Sequence, residues 1–140
     1  MHKAAPEAYE AMRTLSAYTG ECGLDKKLLE LVKTRASQIN GCAFCIHMHT
    51  RDARKLGETE DRLHLLAAWR EVPIYDARER AALAWTEALT LLADGHAPDE
   101  VYDEVRAQFS EEEIAKLSLA IATINAWNRL AVGMRFMPKI

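Results

Sequence analysis

Cys42 and Cys45 lie three residues apart and His49 four residues beyond Cys45, so on a helix all three share one stripe and can meet. With Cys42 at the start of that helix, free amides and the positive end of the helix dipole stabilise a thiolate in the first turn. The imidazole one turn on can shuttle its proton. This arrangement suits thiol redox chemistry, which Cys-x-x-Cys pairs at helix starts favour in a reducing cytosol. Ideal helical neighbours keep their Cβ atoms about 5–6 Å apart, whereas a disulfide wants about 3.5–4.5 Å. Closing the bond therefore needs a loosened first turn, and Gly41 supplies slack there.

Two other readings of the same residues stay open. Free cysteines are among the most buried residue types, so the pair can simply pack. Cys42, Cys45 and His49 are also three zinc-ligand types, with Glu30 or His47 as a fourth, although one Cys-x-x-Cys without a second knuckle is a weak zinc signature. Lys26 lies four residues before Glu30, and a solvated helix pair is the common fate of such a glutamate. His47 lies about 200° around the helix from Cys45, off the reactive stripe, which suits a surface role. Cys22, before Gly23, reads as a packed small side chain, and His2, His64 and His96 have no motif around them.

The elements that must position these groups read as helices throughout. With 140 residues, 49% hydrophobic and 28% charged, the chain has the size and composition of one globular domain spanning residues 1–140. Expected helices run from Pro6 to Tyr18, from Asp25 to the Asn40-Gly41 break, from Cys42 to Leu56, and from a Thr59 cap to near Trp69. Asp76 with Glu79 and Ser110 with Glu113 have capping-box spacing and predict long helices over 77–92 and 111–134, with a short helix after Pro98 between them. No run alternates with period two. The expectation is an all-α bundle of about seven helices. Trp69, Trp85 and Trp127 fall on apolar helix faces, as core or subunit-interface residues.

Eighteen basic against 21 acidic residues give a net charge of −3 with no basic cluster, which argues against a nucleic-acid partner. The first residues show no signal peptide, and the most apolar stretch, 117–127, is interrupted by Ser118, Thr123 and Asn125. No membrane role and a cytoplasmic location are expected, with any disulfide transient. Nothing resembles a phosphate cradle, a Ser-His-Asp order or a haem attachment, so no bound cofactor is indicated.

The run ELVKTRASQINGCAFCIHMH, from Glu30 to His49, resembles the AhpD-like branch of the carboxymuconolactone decarboxylase superfamily. A glutamate twelve residues before the first cysteine, the Cys-x-x-Cys pair and a histidine four after the second make up the motif. The resemblance continues through Gly57, the 62–70 stretch, the helix around Trp85 and the closing 124–130 segment. It implies an all-helical subunit assembled as a homotrimer or homohexamer, with thiol-dependent peroxidase activity. Glu30, Cys42, Cys45 and His49 would form the proton relay. Cys45 would react with the hydroperoxide, and Cys42 would resolve the sulfenic acid and meet a dithiol reductant of lipoyl or thioredoxin type. Those peroxidases carry a histidine just before the second cysteine, where this chain has Phe44.

The dipole argument makes Cys42 the more accessible thiol and Cys45 the shielded one. The alternative function is a non-catalytic zinc-binding or redox-sensing module. A lactone decarboxylase ranks lower, because that branch is not marked by the Cys-x-x-Cys pair. The long helices after Asp76 and Ser110 are expected at the subunit interface, with Trp85 and Trp127 as its anchors.

Overall fold

The computed structural model describes residues 1–140, which form seven α-helices and no strands. They are α1 (Pro6–Gly20), α2 (Lys26–Asn40), α3 (Ala43–Lys55), α4 (Glu60–His64), α5 (Ala77–Thr90), α6 (Asp99–Gln108) and α7 (Glu111–Gly133). Short 3₁₀ segments cover Leu66–Glu71 and Leu92–Asp94. No helix is long and apolar enough to cross a membrane.

The starts follow local chemistry. Asp25 caps α2 by accepting from the Leu28 amide at 2.9 Å, and Thr59 caps α4 through the Arg62 amide. Both expected capping boxes form, Asp76 with Glu79 at α5 and Ser110 with Glu113 at α7. The expected single helix over 59–69 divides instead into α4 and a 3₁₀ segment, with Ala68 at φ −118° and ψ 31° between its turns. Leu63, Leu66 and Trp69 recur every third residue and all three are buried. A 3₁₀ helix has three residues per turn, so it aims such a series at one core where a 3.6-residue helix would fan it outward. The helix expected over 77–92 likewise ends at Thr90 and gives way to the 3₁₀ turn.

α2 is the centre of the bundle and packs against α3, α5 and α7. Its Leu28, Leu29 and Val32 enter a core shared with Trp85 of α5, Val105 of α6 and Leu117 of α7. Its Leu31, on another face, joins a second core with Leu63, Leu66, Trp69 and Leu83. Polar clamps tie the second core down. The Glu58 side chain, fully buried, pairs with Arg62 at 2.7 Å, and Arg62 also reaches Glu79. Glu87 of α5 accepts from Arg35, Trp69 and Arg70.

Trp85 is 7% exposed and donates to Ser118 Oγ at 2.9 Å. So committed within one subunit, it has little surface left to anchor a neighbour, and the expected interface role passes from it. Its register on α5 faces α7, a matter of helix packing that spacing along one helix does not disclose. Cys22 is buried in the first core, as expected.

Candidate active site

α2 ends at Gly41 in the left-handed conformation, with φ 65° and ψ 32°, which turns the chain sharply toward α3. Asn40, just before this turn, donates to Asn125 and Asn128 of α7, each at 2.9 Å, and Asn128 donates to Ser37 Oγ at 3.0 Å. Asn125 in turn reaches Thr90 of α5 at 3.0 Å. This part-buried amide network fixes where the Gly41-Cys42 corner sits. Asn125 and Asn128 each use both a donor and an acceptor in it, and Asn40 donates to both of them, an arrangement that rigidifies a core.

Cys42 is therefore the N-cap of α3, not its first helical residue, with extended φ −85° and ψ 95°. Its sulfur accepts from the Cys45 amide at 3.3 Å. The non-helical backbone supplies the slack that an i, i+3 disulfide demands. Cys42 and Cys45 are joined here with Cα atoms 5.3 Å apart. Ala131 of α7, Phe44 and Phe136 pack over the bond. Cys42 is 1% exposed and Cys45 2%. The expectation of an accessible Cys42 is thus corrected: the cap residue folds back over its own turn, and α7 with the following segment covers it.

His49, one turn beyond Cys45 and buried, places Nδ1 2.8 Å from Glu30 Oε2. The other carboxylate oxygen accepts from Lys33 Nζ at 3.0 Å. Burial pushes the Glu30 carboxyl up, but the hydrogen bond and charge of His49 and those of Lys33 outweigh it and hold the group below the ordinary glutamate value. An ionised carboxylate can only accept, so Nδ1 carries the ring proton and Nε2 is left as the lone-pair nitrogen of neutral His49. Lys26, the expected helix partner of Glu30, pairs with Glu21 instead at 3.0 Å, which frees Glu30 to face inward. Lys33 was not singled out in the sequence; its only signal is the i, i+3 spacing from Glu30.

Cys45 and His49 open onto one cavity of about 290 Å³ between α1, α3 and α7. Phe44, Met48, Ile124, Trp127 and Phe136 make its lining largely apolar, and Tyr9, Arg13 and Ser16 of α1 close one side. Cys42 is not on the lining. His47 lies in a separate shallow groove with Arg51 and Lys55, off the reactive stripe.

The zinc set of Cys42, Cys45 and His49 with Glu30 or His47 is not assembled. The two sulfurs are bonded to each other, His47 points elsewhere, and His49 Nδ1 is committed to Glu30. The one tight group of metal-capable side chains, Glu30, His49 and Asp52, contains no cysteine. Ammonium groups already neutralise it, Lys33 at Glu30 and Lys55 at Asp52. Cys42, Cys45 and His49, singled out by type and spacing, are brought together with Glu30, which the resemblance added. Asn40, Asn125 and Asn128, which hold the corner, carry no site signal of their own.

A helical subunit with this corner, this dithiol and this cavity defines a recognisable class. The sequence profile of the carboxymuconolactone decarboxylase family matches residues 4–88. The uncharacterized YdfG of Bacillus subtilis is 45% identical over 133 residues, covering 95% of this chain and 90% of YdfG. A crystal structure of an Agrobacterium tumefaciens protein of unknown function, considered a candidate AhpD antioxidant-defence protein, superposes with a TM-score of 0.97. It is 45% identical and covers 99% of this chain and 95% of that one. The debrominase Bmp8 bound to 2,3,4-tribromopyrrole has the same fold, with a TM-score of 0.82 at 20% identity over 96% of this chain and 72% of its own. The chain belongs to the carboxymuconolactone decarboxylase family, in its AhpD-like branch.

Proposed function

We propose that this protein is a thiol-dependent peroxidase that reduces hydroperoxides through a Cys42–Cys45 dithiol/disulfide cycle. The observation that carries the reading is the meeting of Cys45 and the Glu30-held His49 on the lining of one apolar cavity. His49 Nε2 takes the Cys45 thiol proton. The thiolate attacks the terminal peroxide oxygen, the O–O bond breaks, and the alkoxide leaves as an alcohol with the proton His49 returns. Cys45 is then a sulfenic acid. The Cys42 sulfur attacks the Cys45 sulfur, and the sulfenic oxygen departs as water with the Cys42 proton. The disulfide present here is the oxidised end of that cycle. A dithiol of lipoyl or thioredoxin type restores both thiols and leaves as its own disulfide, so the net reaction converts hydroperoxide and dithiol to alcohol, water and disulfide.

The test is a peroxide-consumption assay with cumene hydroperoxide and three donors: a dihydrolipoyl domain, reduced thioredoxin and glutathione. Turnover with a dithiol donor, at a rate proportional to protein, is expected. No consumption with any of the three overturns the reading.

The subunit is further proposed to assemble as a homotrimer or homohexamer. Leu91 and Leu92, beyond the end of α5, and Leu119 and Val132 on α7 are exposed apolar side chains, more than a 15.8 kDa monomer gains by leaving in water. Light scattering is expected to give three or six subunits. A monomer at every concentration removes the assembly.

A further inference from the structure

We propose that the cavity at Cys45 selects molecules that join a compact apolar body to a carboxylate, and that Arg13 is the specificity-determining residue that reads the charge. The proposal rests on the peroxidase reading only for the reacting end of the molecule; the binding preference stands apart from it.

At about 290 Å³ the cavity lies at the small end of the range for ligand pockets, roughly 300–1,000 Å³. It suits a substituted ring or short branched body, not a long acyl chain. One end of it is the Cys45–His49 pair. The other polar groups of the lining are, with few exceptions, already committed within the protein. Lys33 is held by Glu30, Ser16 Oγ accepts from Trp127, Thr19 donates to the Ser16 carbonyl, and Thr123 donates to the Leu119 carbonyl. Arg13 is the exception that carries charge. It lines the cavity from α1, is exposed, and has no carboxylate of the chain in ion-pair reach. Tyr9, one helical turn before it on the same face, presents a hydroxyl with no partner in the chain, its ring edge-on to Trp127 at 5.8 Å.

An uncommitted guanidinium beside an apolar wall is a carboxylate receptor by geometry. It offers a planar fork of donors that a carboxylate accepts from two at once, and the neighbouring aromatic surface lowers the local dielectric. An apolar body would lie against Trp127, Ile124 and Phe136 with its reactive end toward Cys45. Its carboxylate would meet Arg13 and the Tyr9 hydroxyl. The carboxylates beside His49, Glu30 and Asp52, are paired with Lys33 and Lys55 and so do not repel such a guest.

Calorimetric titration of the full chain in its disulfide form with 4-isopropylbenzoate and with its neutral isostere 4-isopropylbenzamide tests the preference without any turnover. The wild-type protein is expected to bind the carboxylate about 10-fold more tightly than the amide. That margin should shrink as salt is raised, because the charge is near solvent. Arg13→Gln should equalise the two ligands while leaving the amide affinity unchanged, and Arg13→Lys should restore part of the difference. Equal binding of both ligands by the wild-type protein, or discrimination that survives Arg13→Gln, overturns the proposal. In a parallel assay, cumene hydroperoxide and its 4-carboxylate should show the same contrast in KM with kcat similar for the two. If neither peroxide is consumed while the benzoate still binds through Arg13, the peroxidase reading fails and the carboxylate preference stands.

Discussion

Cys45→Ser is expected to bring peroxide consumption down to the uncatalysed rate, and Cys42→Ser to stop turnover after a single event. The asymmetry follows from placement. Cys45 is on the cavity lining beside His49, whereas Cys42 is off it, under Ala131 and Phe136. Without Cys45 no sulfur reaches the peroxide; without Cys42 the sulfenic acid forms and waits. A single exposure of Cys42→Ser to one equivalent of peroxide, followed by dimedone and mass spectrometry, should label Cys45. Catalysis by Cys45→Ser at the wild-type rate, or dimedone on Cys42 in the Cys45→Ser protein with turnover retained, would reverse the assignment. Neither serine should unfold the chain, because it replaces a sulfur by a smaller oxygen at the edge of the main cores, and circular dichroism checks that.

Glu30→Gln is expected to slow the reaction by about 10²–10⁴-fold, the usual contribution of a positioned acid–base group. The carboxylate does not touch the peroxide. It holds His49 in the tautomer whose Nε2 is free, and glutamine can donate through its amide to Nδ1 and favour the opposite tautomer. Glu30 is thus a positioning residue, and the pH–rate profile is the discriminating readout. It should change shape in Glu30→Gln, whereas a merely packed Glu30 leaves the profile as it was.

Stability gives an independent sign. The folded-state carboxyl of Glu30 is held below its ordinary value, so its contribution is full above the unfolded-state pKa and is lost as the pH falls through the lower, folded one. Acid should therefore destabilise the wild-type protein more steeply than Glu30→Gln, as read from urea midpoints at descending pH. Parallel slopes for the two proteins would show that Glu30 gains nothing from His49 and Lys33.

Local signals read correctly where they depended on neighbours in the chain. The capping boxes at Asp76 and Ser110, the Asp25 and Thr59 caps and the Gly41 stop each involve groups within four residues of one another, so type and spacing suffice. The same holds for Cys42, Cys45 and His49, which one stretch of chain carries on one stripe. The break between α4 and the 3₁₀ segment was not legible, because the choice between 3.6 and 3.0 residues per turn there was made by where the second core needed Leu63, Leu66 and Trp69.

Sequence by itself determined the helical class, the corner at Gly41 and the reactive stripe of α3, since all three arise from backbone preferences and periodicity inside single segments. Tertiary structure alone decided the rest of the site. It turned Glu30 from Lys26 toward His49, 19 residues away, and brought Asn125 and Asn128 onto Asn40 across 85 and 88 residues. It also seated Trp85 inside the subunit and put Arg13 on the lining of the cavity that Cys45 shares. The reason is physical. A side chain's partners across helices depend on the rotation of each helix about its own axis, and that rotation is fixed only when the apolar faces of α1, α2, α3 and α7 pack against one another.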